Sequence, residues 1–363
     1  MILSLYVARR FLRMTARIFL IFFAILMLID MLDQLRRFSG QIGLRRAAEL
    51  SLLHVPANIY TILPLILALG AIALFLGLAR SSELVVVRAA GRSALRFLAA
   101  PVVTTLLLGI VLVAVLNPIA AATSNRYETL SAQLRHGSAQ VLSVSAEGLW
   151  LRQGGSEGQT VIRAQRTNTD GTALTGVTIL TFDADGALAQ RIAASRAVLD
   201  QGAWNLTEAK IWDLSDPNPE ADARVMDSFT LPSTLTPDTI RDGFRDPTEI
   251  SIWDLPRYIR GLEEAGFQAR EHRVWLQSEL ALPVFLAAMV LIAAAFTMRH
   301  ARLGRTGPKV MFALLLAFGA FFLRSFAQVL GDNGQIPVLL AAWTPPVATV
   351  LASIGLLLHL EDG

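Results

Sequence analysis

The sequence predicts a multi-span α-helical membrane protein, with six transmembrane helices and a β-jelly-roll domain inserted between the third and the fourth. Three observations carry this. Apolar residues make up 53% of the 363 residues, with a mean hydropathy of +0.50. They gather into blocks about as long as a bilayer-spanning helix, which needs about 20 such residues. Between Gln140 and Leu231 the blocks give way to short alternating segments separated by turn residues, which is the pattern of strands.

Leu50–Ala79, Phe97–Asn125, Leu280–Met298 and Asn333–Leu360 each hold an apolar run free of Asp, Glu, Lys and Arg. Phe11–Leu32, with Arg13, Arg17 and Asp30 inside it, and Val310–Leu330, with Arg324, complete the set. The chain thus divides into residues 1–125 (spans one to three), 140–247 (the β domain) and 251–363 (an amphipathic connector and spans four to six). Pro56, Pro64, Gly70 and Gly77 mark span two as a packed, bent helix rather than a lipid-facing rod. The N-terminal apolar run lacks a small-residue cleavage site, so span one is retained.

Basic residues in the short loops set the orientation. Arg9, Arg10, Arg13 and Arg17, then Arg80, Arg88, Arg92 and Arg96, then Arg299, Arg302, Arg305 and Lys309 all fall at one side. The opposite short loops offer only Arg36, Arg37, Arg45 and Arg46. Both termini are expected in the cytoplasm and the β domain outside.

In the β domain, segments such as QTVIRAQ, GVTILTFD and AWNLTEAKIW alternate with the turn signals GGSEG, TDGT, DADG and LDQG. Acidic residues outnumber basic ones, fifteen to nine, over Gln140–Asp246, which argues against an electrostatic grip on anionic lipid. An apolar groove or a strand edge is the better contact, with Ile179 and Ile211 among the inward positions. Ser251–Phe267 places Ile252, Leu255, Ile259 and Leu262 at helical spacing, an amphipathic return to the membrane.

Three places carry candidate function. Arg80–Arg96 lies between spans two and three, where Ser81 or Ser82 can cap a helix and Glu83 suits its first turn. Leu84, Val87 and Gly91 follow at helical spacing, with Arg88 and Arg92 one position along. Residues 81–92 read either as a short docking helix on the membrane face or as a solvated loop. At the outer end of span one, Asp30 and Asp33 share a helical face and Arg36 and Arg37 follow. Such charges face a cavity or lie in the headgroup layer. Arg324 either snorkels to the outer interface or has a buried partner.

Several chemistries are excluded. There is no cysteine, hence neither a disulfide nor a thiolate metal site. No phosphate-binding G-x-x-x-x-G-K-[ST] loop, H-E-x-x-H or G-x-S-x-G occurs, and no metal ligand set is expected. DADG at Asp183–Gly186 reads as a turn, because the closing Glu of a calcium loop is missing.

The order of parts, D-Q-L-R-R after span one, S-E-L-V-V-x-R-A-A-G after span two and E-G-L-W at Glu147–Trp150 resemble the LptF/LptG permease family. Leu84-Val85-Val86 after Glu83 is more similar to the LptG branch than to its paralogue. The resemblance covers essentially the whole chain. It implies an inner-membrane permease of an ATP-driven lipopolysaccharide exporter, not an enzyme. Its implied partners are a paralogous LptF-type permease, an LptB-type ATPase dimer and an LptC-type periplasmic bridge. ATP and Mg²⁺ then belong to the ATPase, and this chain binds no cofactor. The resemblance makes Glu83, Leu84, Val87, Arg88 and Gly91 a coupling helix, and places Asp33, Arg36 and Arg37 beside the lipid A headgroup. Asp30 departs from the family, which can carry a lysine there; Arg36, Arg37 or Arg324 would then take the phosphate contact. The alternatives are a permease of another ABC system acting on envelope lipids or lipoproteins, which typically has four spans, and a membrane-anchored enzyme. The latter needs a cluster of perturbed acids within residues 140–231.

Overall fold

The structure, a computed structural model, describes residues 2–39, 42–81, 83, 94–136, 149–155, 158–168, 171–183, 187–200, 202–214, 218–233, 246–264, 268–298 and 306–361. Six of its helices are long and apolar enough to cross a membrane. The chain forms two compact units: residues 1–134, 247–256 and 270–363, and residues 135–246 with 257–269.

In the helical unit, span four (Arg270–Thr297) is the central post, buried along most of its length. It packs against span two (Leu63–Arg80), span three, span five (Thr306–Asp332) and span six (Val338–Glu361). Its Ala-rich run, Ala287, Ala288 and Ala293–Ala295, lets neighbours approach closely, as small residues do where apolar burial gives no drive between helices. Gly70 of span two serves the same end: a Cβ there would lie 2.5 Å from the Thr15 hydroxyl of span one. Spans one (Ile2–Arg37) and five stay largely exposed, showing Leu20, Ile21 and Leu28 on one and Phe312, Phe322 and Phe326 on the other.

The bend expected in span two is a break at Ile62 between Leu44–Thr61 and Leu63–Arg80. Pro64 starts the second helix, where its missing N–H costs no helical bond. Span three contains a π-helical turn, Leu112–Leu116, between Ala94–Val111 and Asn117–His136. Its extra residue of winding brings Asn117 to the face of the span that meets span four.

The inserted unit holds an antiparallel sheet of six strands in sequential order: β1 (Leu149–Gly155), β2 (Gly158–Thr167), β3 (Ala173–Phe182), β4 (Leu188–Asp200), β5 (Ala203–Asp213) and β6 (Arg224–Pro232). One face is a continuous apolar core running from Leu151 and Ile162 through Val177, Ile192 and Trp204 to Ile211. Ile179 and Ile211 lie in it, 0% and 2% exposed, so both face a packed interior rather than an open groove.

A crease crosses this sheet. Pairing skips Gln165 opposite Gly176, Gly176 opposite Ser195, Ser195 opposite Glu208, and Glu208 opposite Asp227. At the same level the buried positions step by three instead of two: Ala164 to Thr167, Leu174 to Val177, Ala194 to Ala197, Leu206 to Ala209. Two adjacent residues per strand therefore face away from the core, along one line that crosses the sheet. Gly176 (φ 66°) and Glu208 (φ 53°) adopt the left-handed conformation this requires. The edge strands meet at one end, where Gln153 of β1 donates to the Pro232 carbonyl at 3.3 Å and accepts from the Ser233 hydroxyl at 2.8 Å. Gly176→Val should lower the stability of this unit by about 2 kcal/mol or more, from left-handed strain together with a Cβ 2.7 Å from the Gln165 side chain. Faster proteolysis within the sheet of the full-length chain, with spans unaffected, is the expected result.

Candidate functional site

Polar side chains within an apolar bundle cost energy and mark where it works. The described residues gather them in three places.

The first is the end of the bundle where spans one and two carry Arg10 and Arg80. Glu83 is fully engaged within the chain. Its Oε1 accepts from Arg10 Nη1 at 2.7 Å and from the Ser81 hydroxyl at 2.7 Å, and its Oε2 accepts from the Tyr6 hydroxyl at 3.2 Å. Arg10 also donates to the Tyr6 oxygen at 2.7 Å. Partial burial works to raise the Glu83 carboxyl, but the bonds from Arg10 and Ser81 outweigh it and hold the group below its usual range. The sequence suggests a Glu83 that reaches outward; the structure ties it to span one. Leu84, Val87, Arg88 and Gly91, the rest of the expected coupling segment, lie outside the described residues.

The second place is the far end of span one. Asp30 is buried, and its Oδ1 lies 2.5 Å from His54 Nδ1. Gln34 donates to Asp30 Oδ2 at 3.3 Å and to the Tyr127 hydroxyl at 2.9 Å. The His54 ring stacks on Tyr127 with centroids 4.3 Å apart. Asp30 is thus held within this chain, by His54 of the helix before span two and by Gln34 of span one. Asp33 and Arg37 form an exposed pair one turn apart, at 3.4 Å, and Arg36 is exposed beside them.

The third place was not anticipated. Glu279 of span four is 1% exposed, and the Tyr60 hydroxyl donates to its Oε2. Asn117, the residue closing the π turn, donates to the same oxygen at 3.2 Å. The Asn117 amide oxygen in turn accepts from the backbone N–H of Ile252 at 2.9 Å. Trp253 donates its indole N–H to the Ala114 carbonyl inside the π turn at 3.0 Å, and Asn125 donates to the Glu249 carbonyl at 2.6 Å. The segment 249–253 is pinned in this way to span three. Arg324 of span five lies within Coulombic reach of Glu279, its guanidinium 5.4 Å over the Phe285 ring. Arg324 is half-buried and makes no hydrogen bond or ion pair among the described residues. Arg324 belongs to this cluster and Asp30 to the other.

Glu279 was missed because it borders the charge-free run Leu280–Met298 and so reads as a flank. The helix extends back to Arg270 and places it inside. Asn117 gave a usable signal, being an amide in the middle of an apolar span.

Residues 5–359 match the family described as lipopolysaccharide export system permease LptF/LptG. Among characterised proteins, the lipopolysaccharide export system permease protein LptG of Escherichia coli K12 is 26% identical over 336 residues, 92% of this chain and 91% of its own length. Its namesake from Haemophilus influenzae is 25% identical over 343 residues, 92% of each chain. Six bilayer-length helices flanking an antiparallel β unit, together with a match along nearly the whole length, show that the chain belongs to the LptF/LptG family of lipopolysaccharide export permeases.

Proposed function

We propose that this chain is the LptG-type permease subunit of an ATP-driven lipopolysaccharide exporter of the Gram-negative inner membrane. It draws lipopolysaccharide from the membrane and passes it to a periplasmic LptC-type bridge. It works with an LptF-type permease and an LptB-type ATPase dimer, which binds ATP and Mg²⁺; this chain binds no cofactor. Both termini face the cytoplasm and the β domain the periplasm. Asp30, Asp33, Arg36, Arg37 and Arg324 belong to the cavity that receives the lipid A headgroup, and acyl chains lie on the exposed faces of spans one and five.

The observation that carries the reading is the clasp of Glu83 onto Arg10 and Tyr6. Glu83 sits in the segment expected to dock the ATPase, and Arg10 in a helix about 54 Å long at 1.5 Å per residue. Movement of the segment therefore acts on the span whose far end holds Asp33, Arg36 and Arg37. ATP binding shifts the permease between two states only through contacts that differ between them, and the clasp is such a lever.

Glu83→Ala should leave the ATPase bound while lipopolysaccharide release per ATP falls about five-fold. The Arg10 and Glu83 side chains are 21% and 35% exposed, so screening by water limits the clasp to about 1 kcal/mol. Arg10→Ala should reproduce the loss. Because the Glu83 carboxyl is lowered in the folded chain, the clasp is fully formed above the ordinary carboxylate range and is lost only as pH falls through that lowered value. Coupling should accordingly be flat from about pH 6 to 8. Reconstituted complexes that release lipid at the parental rate per ATP with either substitution would remove the lever.

A further inference from the structure

The N-terminal third of span one presents Arg10, Arg13 and Arg17 along one side. With Tyr6, Met14 and Glu83 they line a cavity of about 340 Å³. Glu83 accounts for Arg10 alone. That guanidinium passes Gly77 of span two at ordinary contact distance, 3.6 Å from where a Cβ would stand. Arg13 gives its Nε to the Arg9 carbonyl at 3.4 Å, and its two terminal nitrogens have no hydrogen-bond partner among the described residues. Arg17 is exposed and makes no hydrogen bond or ion pair among the described residues. Two guanidinium groups one turn apart, lining a cavity larger than a phosphate, form a fork suited to phosphate oxygens.

The surface that continues from this fork identifies the ligand class. On the same side of the helix, Leu20, Ile21, Ala24 and Leu28 are exposed in succession, Leu20 by 63% and Leu28 by 57%. From Arg17 to Leu28 the helix rises about 16 Å, close to the length of a fatty acyl chain. An acidic peptide or a free anion would use the arginines and leave this strip uncovered, whereas a phospholipid covers both. Basic pockets beside membrane helices take anionic headgroups for the same reason.

We propose that the cavity binds the phosphate of an anionic glycerophospholipid through Arg13 and Arg17, with an acyl chain lying along Leu20, Ile21, Ala24 and Leu28. The site lies at the end of span one opposite Asp33, Arg36 and Arg37. Its arginine fork is independent of lipopolysaccharide export. Its acyl strip is the face of span one proposed above for lipopolysaccharide acyl chains, so the two lipids would occupy that strip in turn. Arg10, held by Glu83, forms the wall of the site next to the coupling segment.

The test is lipid retention by the full-length chain, purified in an uncharged detergent and read by native mass spectrometry. Phosphatidylglycerol and phosphatidylcholine with identical acyl chains are supplied in equal amounts. The parent should retain phosphatidylglycerol at least about five-fold over phosphatidylcholine. Arg17→Gln alone should lose most of that preference, and Arg13→Gln with Arg17→Gln all of it. Arg13→Lys with Arg17→Lys should keep the larger part, and Arg45→Gln with Arg46→Gln, on a different helix, should change nothing. No preference in the parent, or a preference that survives the double glutamine variant, would overturn the site. Complete displacement of the lipid by excess inorganic phosphate would equally overturn it, since the site would then bind a free anion without need of an acyl chain.

Discussion

Glu279→Ala is expected to be the most damaging single polar substitution in the spans, costing about 3 kcal/mol or more. It removes the carboxylate oxygen that both the buried Tyr60 hydroxyl and the Asn117 amide N–H donate to. It also removes the Coulombic attraction between Glu279 and Arg324. Glu279→Gln keeps an acceptor oxygen for Tyr60 and Asn117 and loses only the charge, so it should cost less than half as much. Arg324→Met in the Glu279→Ala background should recover part of the loss, because the uncompensated guanidinium is gone. A double-mutant cycle on thermal unfolding in detergent reads the coupling directly. Parental unfolding of Glu279→Ala would mean that the cluster holds nothing together.

Gly109→Leu should disrupt the contact between spans three and four. A Cβ at Gly109 would stand 2.7 Å from the Pro283 Cα and 2.9 Å from its Cβ, closer than real Cβ atoms come. Pro283 lies inside span four, the most enclosed helix, so neither backbone can give way cheaply. Alanine alone should cost about 1–3 kcal/mol, and leucine enough to abolish a stable bundle. Gly319→Ala is the control: nothing lies within 4 Å of its Cβ, and helix propensity favours the change by about 1 kcal/mol. Detergent-solubilised yield and unfolding temperature separate the two outcomes. A Gly109→Leu chain as stable as the parent would mean that spans three and four stand further apart than 2.7 Å allows.

The six spans were legible because a bilayer demands long apolar runs, and nothing else in the chain produces them. The inserted sheet was legible from alternation, since strands with one buried face repeat every second residue. Its crease was not. Two outward residues in succession, Thr175–Gly176 or Ser195–Arg196, look in the sequence like the ordinary end of a strand. Only their alignment across neighbouring strands shows a single line. The partner of Asp30 was hidden for a related reason. His54 sits in a run counted as free of charge, because a histidine does not interrupt an apolar block as lysine would. Glu83 was legible as an acid at the start of a segment, but a clasp with a residue 73 positions away comes from helix packing that spacing alone does not encode.

The π turn in span three sets the phase of everything beyond it. Each residue added to or taken from a helix rotates the remainder of that helix by about 100°. With Leu112–Leu116 wound regularly, Asn117 would swing off Glu279, and Ala114 would no longer offer its carbonyl to Trp253. The second half of span three therefore works as a key cut one notch out of step with its shank. Deleting a single residue between Leu112 and Leu116 would leave the length and apolar character of the span almost unchanged. The lock formed by Glu279, Ile252 and Trp253 would still no longer fit, so in this span a one-residue deletion should be harder to tolerate than most substitutions.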